Sequence, residues 1–221
     1  MSNVKSHILS NIFSEDELVE LKDAIYGFFN ANEPIVVPLE TIAKEGRPSD
    51  KVLRQEWSGR ALFVATDKIP TSIKDKISKI VRENYGDDLM PDGFAFTRYS
   101  KEYGVPRLAP HYDTGYAKFT IDYQLQSNTT WKLLVEDKEY ALNDNDALVF
   151  MPSYEVHWRE PKILQDGEYV DMIFFHFHDG KEDDYGMTKE IKKQKESTYQ
   201  EQYQKDFIDL HGWDYWHGNR L

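Results

Sequence analysis

The stretch YAKFTIDYQLQSNTTWKLLVEDKEYALNDNDALVFM, residues 116–151, holds three short runs rich in β-branched and aromatic residues: Tyr116–Leu125, Trp131–Glu136 and Ala147–Met151. Asn128 and the cluster Asn143-Asp144-Asn145-Asp146 part them. Branched and aromatic side chains suit a pleated surface, while Asn and Asp tolerate the backbone of tight turns, so the stretch reads as three strands and two turns. Two further runs, Phe94–Tyr99 and Tyr169–Phe177, flank it, and hardly any helical period survives between Pro91 and His178. Short strands punctuated in this way build a sandwich or a barrel.

Outside this β-rich region the periodicity turns helical. Ser14 followed by Glu17 matches a capping box, and Leu18, Leu21, Ile25 and Phe28 recur at helical spacing, which predicts a helix over about 15–30. Residues 32–60, with Pro34, Pro38, Gly46, Pro48 and Gly59, read as a long connecting segment, followed by a possible strand at Ala61–Thr66. A second helix is expected from a cap at Thr71 or Ser72, with Ile73, Ile77 and Ile80 as its stripe and Gly86 beyond its end. At the other end Asp179–Tyr185 is loop-like, its acids Glu182-Asp183-Asp184 read as solvated. Met187–Leu210 reads as a helix on the sheet whose face is Ile191, Tyr199, Tyr203 and Phe207. Trp213, Trp216 and His217 are expected to dock. The expectation is one domain over 1–221: a helical flank at 1–90, a jelly-roll core at 91–178, and a C-terminal helix and tail at 179–221.

Composition removes several function classes. Lys and Arg number 27 against 39 Asp and Glu, a formal charge of −12 that repels a polyphosphate backbone and argues against nucleic-acid binding. Zero cysteines exclude disulfides, thiolate metal sites and a cysteine nucleophile, so any metal must be held by His, Asp or Glu. No run has the ~18 apolar residues of a membrane span, and Met1–Ser10 lacks a signal-peptide pattern, so the expected partner set has no membrane and the expected compartment is the cytoplasm. At 40% apolar and 14% aromatic the chain folds into a core.

One histidine stands two residues before a carboxylate, in His111-Tyr112-Asp113. With this many acids chance alone gives about one such triplet, so position decides. The triplet follows Pro106 and Pro110, precedes a strand, and on extended backbone residues i and i+2 face one side. His157 comes directly after the strand ALVFM and the turn Pro152-Ser153-Tyr154. Two imidazoles and one carboxylate form the facial triad that leaves three positions of a non-haem Fe(II) open, although the same donors suit Zn, Mn, Co or Ni. His176 and His178 also stand two apart on a strand, without an obvious third ligand. They are read as packing or hydrogen-bonding groups.

The order Tyr99, HYD at 111–113, DALVFMPSYEVHW ending on His157 and Trp158, then EYVDMIFFHF, resembles the double-stranded β-helix core of the Fe(II)- and 2-oxoglutarate-dependent dioxygenases over Phe94–Phe177. The resemblance implies a mainly β, cupin-like jelly roll with flanking helices. It implies Fe(II) held by His111, Asp113 and His157, with Tyr99 touching 2-oxoglutarate. It also implies an oxygenase that uses dioxygen, most simply to hydroxylate an unactivated C–H bond of a small-molecule or amino-acid-like substrate. Because Asp113 is present, no ligand position is vacant for a halide, which disfavours halogenation.

The sequence departs from that family at one element. The strand arginine or lysine that usually pairs with the distal carboxylate of 2-oxoglutarate is missing, because residues 166–171 read Asp-Gly-Glu-Tyr-Val-Asp. Replacement cations are Arg159, which shares side-chain parity with His157, and Lys132, whose strand alternation turns it outward; Arg98, Arg107 and Lys162 follow. Trp158 is a candidate cavity wall, and residues 40–60, 100–110 and the tail after 178 are candidate lining. Two other readings stand beside the dioxygenase: a cupin-like metalloenzyme whose substrate chelates the ion without 2-oxoglutarate, and a jelly-roll binding module without catalysis.

Overall fold

A computed structural model describes residues 5–113, 117–180 and 189–218. In chain order the elements are β1 His7–Leu9, α1 Glu15–Asn30, β2 Ile35–Val36, α2 Leu39–Glu45, β3 Leu53–Gln55, β4 Arg60–Val64, α3 Thr71–Asn84 and β5 Met90–Ser100. They continue with β6 Phe119–Ser127, β7 Leu133–Val135, β8 Lys138–Tyr140, β9 Ala147–Phe150, β10 His157–Arg159, β11 Tyr169–His178, α4 Lys189–His211 and α5 Trp213–Gly218. Eight strands form a sheet in the order β1-β9-β6-β11-β5-β4-β3-β2, and three form a second sheet, β10-β7-β8.

Strand alternation gives the large sheet two buried faces of different chemistry. Phe63 of β4, Phe94 and Phe96 of β5, Ile121 and Tyr123 of β6, Val149 of β9, and Ile173 and Phe175 of β11 join one core with Leu21, Ile25 and Phe29 of α1 and Ile73, Ile77 and Val81 of α3. The opposite parity, Tyr99, Leu148, Phe150, Val170 and Met172, packs with Trp131, Leu133 and Val135 of the small-sheet side. The result is a helical layer, a large sheet and a small sheet, with a mixed apolar and polar interior between the sheets. This is the mainly β jelly-roll architecture, with flanking helices, that the sequence led one to expect.

The expected capping box is present: Ser14 N–H donates to Glu17 Oε2 at 2.7 Å and Glu17 N–H to Ser14 Oγ at 3.4 Å. Helix α3 starts at Thr71 but takes its cap from Pro70, with no side-chain hydrogen bond, so neither Thr71 nor Ser72 caps it. Its buried stripe is Ile73, Ile77 and Val81, with Ile80 only partly buried. Residues 32–60 are not a bare connection; β2, α2 and β3 lie within them, and β3 extends the sheet beside β4. Those elements are only two to seven residues long, too short for periodicity to register. The expected strand start at Tyr116, the acids Glu182-Asp183-Asp184 and the helix start at Met187 lie outside the described residues. Helix α4 buries Tyr203 and Phe207, and these with Trp216 meet Trp158, Val105 and Ala109. Trp216 docks as expected, while Trp213 stays exposed. Among the described residues no helix is long and apolar enough to cross a membrane.

Under α1 the helical face of the sheet carries one charge cluster. Arg98 of β5 donates from Nε to Asp171 Oδ1 (2.8 Å) and from an Nη to Oδ2 (2.7 Å), and Tyr26 OH donates to the same Oδ2 at 2.7 Å. Asp171 is fully buried, so removing its partner strands a charge, a change worth roughly 3–5 kcal/mol. Arg98→Ala is therefore expected to lower the urea-unfolding free energy by about that amount while leaving metal stoichiometry intact in the folded fraction. A loss below about 1 kcal/mol contradicts the assignment of this cluster as a structural clamp.

Candidate metal centre

His111 and His157 are bridged as an antiparallel pair: His111 N–H donates to His157 O at 3.2 Å and His157 N–H to His111 O at 3.0 Å. Their rings stand 4.2 Å apart, centroid to centroid. Asp113 is fixed by its own N–H, which donates to Pro152 O at 2.9 Å. Each imidazole has Nδ1 against a backbone carbonyl, His111 against Ala109 O at 2.8 Å and His157 against Glu155 O at 3.2 Å. A carbonyl only accepts, so both Nδ1 atoms carry the proton and both Nε2 lone pairs are turned to the site, the tautomer a metal ligand needs.

The two Nε2 atoms converge on Asp113 Oδ1, at 3.4 Å from His111 and 3.7 Å from His157. Metal–ligand bonds of about 2.1 Å meeting near a right angle place donor atoms about 3 Å apart, so small closure around an ion completes the set. Among the described residues these three form the cluster of potential ligands, all donor atoms lying within 4.8 Å of one another. Burial and the neighbouring His111 hold His157 down at about 3. Burial also pulls on His111, but the hydrogen bond and charge of Asp113 outweigh it and raise its pKa. Asp113 stays well below the usual carboxylate range, its burial outweighed by the two histidines. A cation binds deprotonated carboxylate and neutral imidazole, so Asp113 and His157 are already in the binding form, while His111 must give up its Nε2 proton when the ion enters.

The triad opens into a cavity of about 580 Å³, within the usual size range of small-molecule sites. Its wall includes Arg60 and Leu62 of β4, Ala95, Thr97 and Tyr99 of β5, and His176 of β11. Arg60 and Tyr99 face each other across the β4–β5 ladder, and an Arg60 Nη donates to the Tyr99 hydroxyl at 3.4 Å. Beside them two backbones touch. Gly59, at φ 56°, would place a Cβ 2.3 Å from Pro106 N, and Gly104, at φ 127°, would place one 2.4 Å from Glu56 O. Only glycine permits this approach, which sets Arg60 and Arg107 on adjoining parts of the wall.

The co-substrate candidates are scattered. Tyr99 is fully buried in the interior and lines the cavity. Arg159 is buried beyond it, its guanidinium 5.9 Å from the Tyr99 ring and 4.9 Å from the Trp131 ring, with an Nη donating to Trp131 O. Lys132 points outward and pairs with Glu139 at 2.7 Å. Arg98 lies on the helical face, and Lys162 binds Thr129 Oγ1 and Thr130 O. Arg107 lines the cavity with its guanidinium 3.9 Å from the Trp216 ring. Trp158 is not the wall expected of it: its parity is opposite to that of His157, and its ring packs at a tilt of 39° against Tyr199 of α4, centroids 4.7 Å apart. The helix instead lends Glu196 and Gln200 to the wall.

The sequence reading places Arg60 only within the broad lining segment 40–60 and does not single out Asp122. Arg60 lies in the N-terminal flank with no spacing rule to the triad, and only strand pairing brings it there. Asp122 carried a usable signal, because Thr120, Asp122 and Gln124 alternate with Phe119, Ile121, Tyr123 and Leu125 in β6, and both sets are buried. A strand with two buried faces, one of them polar, marks a lined interior.

No protein-family model matches the sequence, and no curated protein matches it significantly. Solved structures do match in fold. HygX from Streptomyces hygroscopicus, with nickel and 2-oxoglutarate bound, aligns with TM-score 0.51 at 9% identity, over 79% of this chain and 83% of its own. A Trichoplax adhaerens prolyl hydroxylase in complex with a hypoxia inducible factor peptide fragment aligns at 0.50 and 10% identity over 87% and 86%. SnoN, a non-heme alpha-ketoglutarate-dependent epimerase from nogalamycin biosynthesis, aligns at 0.53 and 11% over 79% and 77%. The chain therefore shares the double-stranded β-helix fold of these proteins.

Burial raises Asp122 to about 7, so the folded chain keeps this proton through a range in which an unfolded carboxyl has lost it. Between about pH 4 and 7 the folded state binds more protons, and stability falls as pH rises. In metal-free protein Asp122→Asn is expected to match the wild type near pH 4 and to exceed it by roughly 2–4 kcal/mol at pH 8. Urea midpoints at the two pH values check this, and a constant offset between the proteins contradicts it.

Proposed function

We propose that the chain is a non-haem Fe(II)- and 2-oxoglutarate-dependent oxygenase that hydroxylates an unactivated C–H bond of a small-molecule or amino-acid-like substrate. His111, Asp113 and His157 are its metal ligands. One observation carries the reading beyond a metal site: Arg159 is only 2% exposed, and among the described residues the one hydrogen bond of its guanidinium goes to a carbonyl, that of Trp131. A buried cation with five N–H donors and no carboxylate in ion-pair contact is costly unless an anion completes it. The distal carboxylate of 2-oxoglutarate supplies that anion, with Tyr99, which lines the cavity, 5.9 Å from the Arg159 guanidinium.

Arg159 thus takes the role of the cation missing from β11, whose interior positions are Val170, Met172, Phe174 and His176. It approaches from β10, two residues past the metal ligand. When bound, Fe(II) with 2-oxoglutarate and dioxygen supplies an oxidant able to take a hydrogen atom from an unactivated C–H bond, with decarboxylation of the 2-oxo acid to succinate. The chain's own part is to hold both Nδ1 protons on backbone carbonyls, keep Asp113 ionised, orient the co-substrate through Arg159 and Tyr99, and exclude bulk water. Lys132, exposed and paired with Glu139, has no part in this reading. The fold shared with HygX, which holds nickel and 2-oxoglutarate, supports it. A product heavier by one oxygen atom distinguishes hydroxylation from the epimerisation for which SnoN is described.

Anaerobic titration of the Fe(II) protein with 2-oxoglutarate is expected to give a saturable visible charge-transfer band. Arg159→Leu should weaken 2-oxoglutarate binding by about 100-fold or more, as loss of a charge-assisted pair implies, with iron stoichiometry unchanged. Iron binding without any band favours instead the cupin-like enzyme with a self-chelating substrate.

A further inference from the structure

We propose that the primary substrate carries an anionic group, of phosphate or carboxylate type, seated between Arg47 and Arg60 at the cavity wall. The inference rests on the oxygenase reading in one respect, that Arg159 is taken by the co-substrate.

Arg47, just past α2, lines the cavity while its residue as a whole stays exposed to solvent, and among the described residues it makes no hydrogen bond or ion pair. Arg60 uses Nε on Gln55 Oε1 at 2.7 Å and an Nη on the Tyr99 hydroxyl at 3.4 Å, both neutral acceptors. In a chain with 39 acids to 27 bases, these two guanidiniums on one cavity wall have, among the described residues, no carboxylate in ion-pair contact. They also sense each other: beyond the cost of its desolvation, the Arg47 cation is disfavoured by Arg60 and favoured by Asp113.

Charge counting sharpens this. A divalent metal, the Asp113 carboxylate, a 2-oxoglutarate dianion and Arg159 together are neutral, and on the rest of the wall Glu196 offsets Arg107. Asp113 is then satisfied by the metal and no longer balances Arg47, which leaves Arg47 and Arg60 as two neighbouring cations that an anion between them would relieve. Planar guanidinium forks suit the oxygens of phosphate or carboxylate. His176 lines the same cavity, close enough for Arg47 to bear on its titration, and among the described residues its buried Nδ1 has no partner.

The test uses the full chain loaded with redox-inactive Ni(II) and 2-oxoglutarate, titrated calorimetrically with inorganic phosphate. Wild type should bind phosphate, and Arg47→Gln and Arg60→Gln should each weaken it about tenfold, with Arg60→Lys retaining part of the affinity. The 2-oxoglutarate affinity of Arg47→Gln should stay within about threefold of wild type, and nickel stoichiometry confirms folded protein. Absence of phosphate binding in the wild type, or equal binding in the variants, overturns the proposal. So does a loss of 2-oxoglutarate affinity in both Gln variants as large as the loss for phosphate, because the arginines then belong to the co-substrate. If wild type binds phosphate through these arginines but never binds 2-oxoglutarate, the oxygenase reading fails and the anion seat stands.

Discussion

The two-residue period of the strands in the large sheet is the constraint on which the rest depends. Each central strand is buried on both sides, so a one-residue slip would exchange its helix-facing set for its interior set. In β11 that slip would drive Met172 toward α1 and turn Asp171 away from Arg98 and Tyr26 into the interior. In β5 it would turn Arg98 inward and Tyr99 out. The Arg98–Asp171 clamp thus penalises wrong register at the strands whose opposite faces carry Tyr99 and His176. The charge cluster on the helical side and the chemistry on the interior side are consequences of one alternation.

Within that frame the metal centre needs little machinery. A single antiparallel bridge places His111 beside His157, and one backbone hydrogen bond from Asp113 to Pro152 brings the carboxylate to both Nε2 atoms. The carbonyls of Ala109 and Glu155 fix the tautomers. Around this centre the interior is charged beyond what hydrophobic packing would select, with Asp122 on β6 and Arg159 on β10 both buried. Burial raises the first to about 7 and leaves the second short of acceptors. Such groups weaken the folded state, so their presence is best accounted for by what binds between them.

Much of this was legible in the sequence because it is local. Ser14 and Glu17 announce α1, the Asn143–Asp146 cluster announces the turn before β9, and the shared parity of His157 and Arg159 follows from extended backbone. What was hidden is what pairing alone creates. β2, β3, β8 and β10 are two or three residues long and gain their hydrogen bonds only from neighbours. Arg60 enters the site because Arg60 pairs with Tyr99 across β4 and β5, a register no spacing within one strand reveals. Adjacency of Trp158 to His157 suggests nearness to the cavity, but successive strand residues point to opposite faces. Asp122 was overlooked although the polar half of β6 was visible.

The claim on which everything else rests is that His111, Asp113 and His157 hold one ion. Anaerobic metal analysis after Fe(II) loading and desalting tests it most directly, on wild type and on His157→Ala checked for folding by circular dichroism. The account predicts one iron per wild-type chain and none retained by a folded variant. Equal iron in both proteins, or none in the wild type, would contradict it.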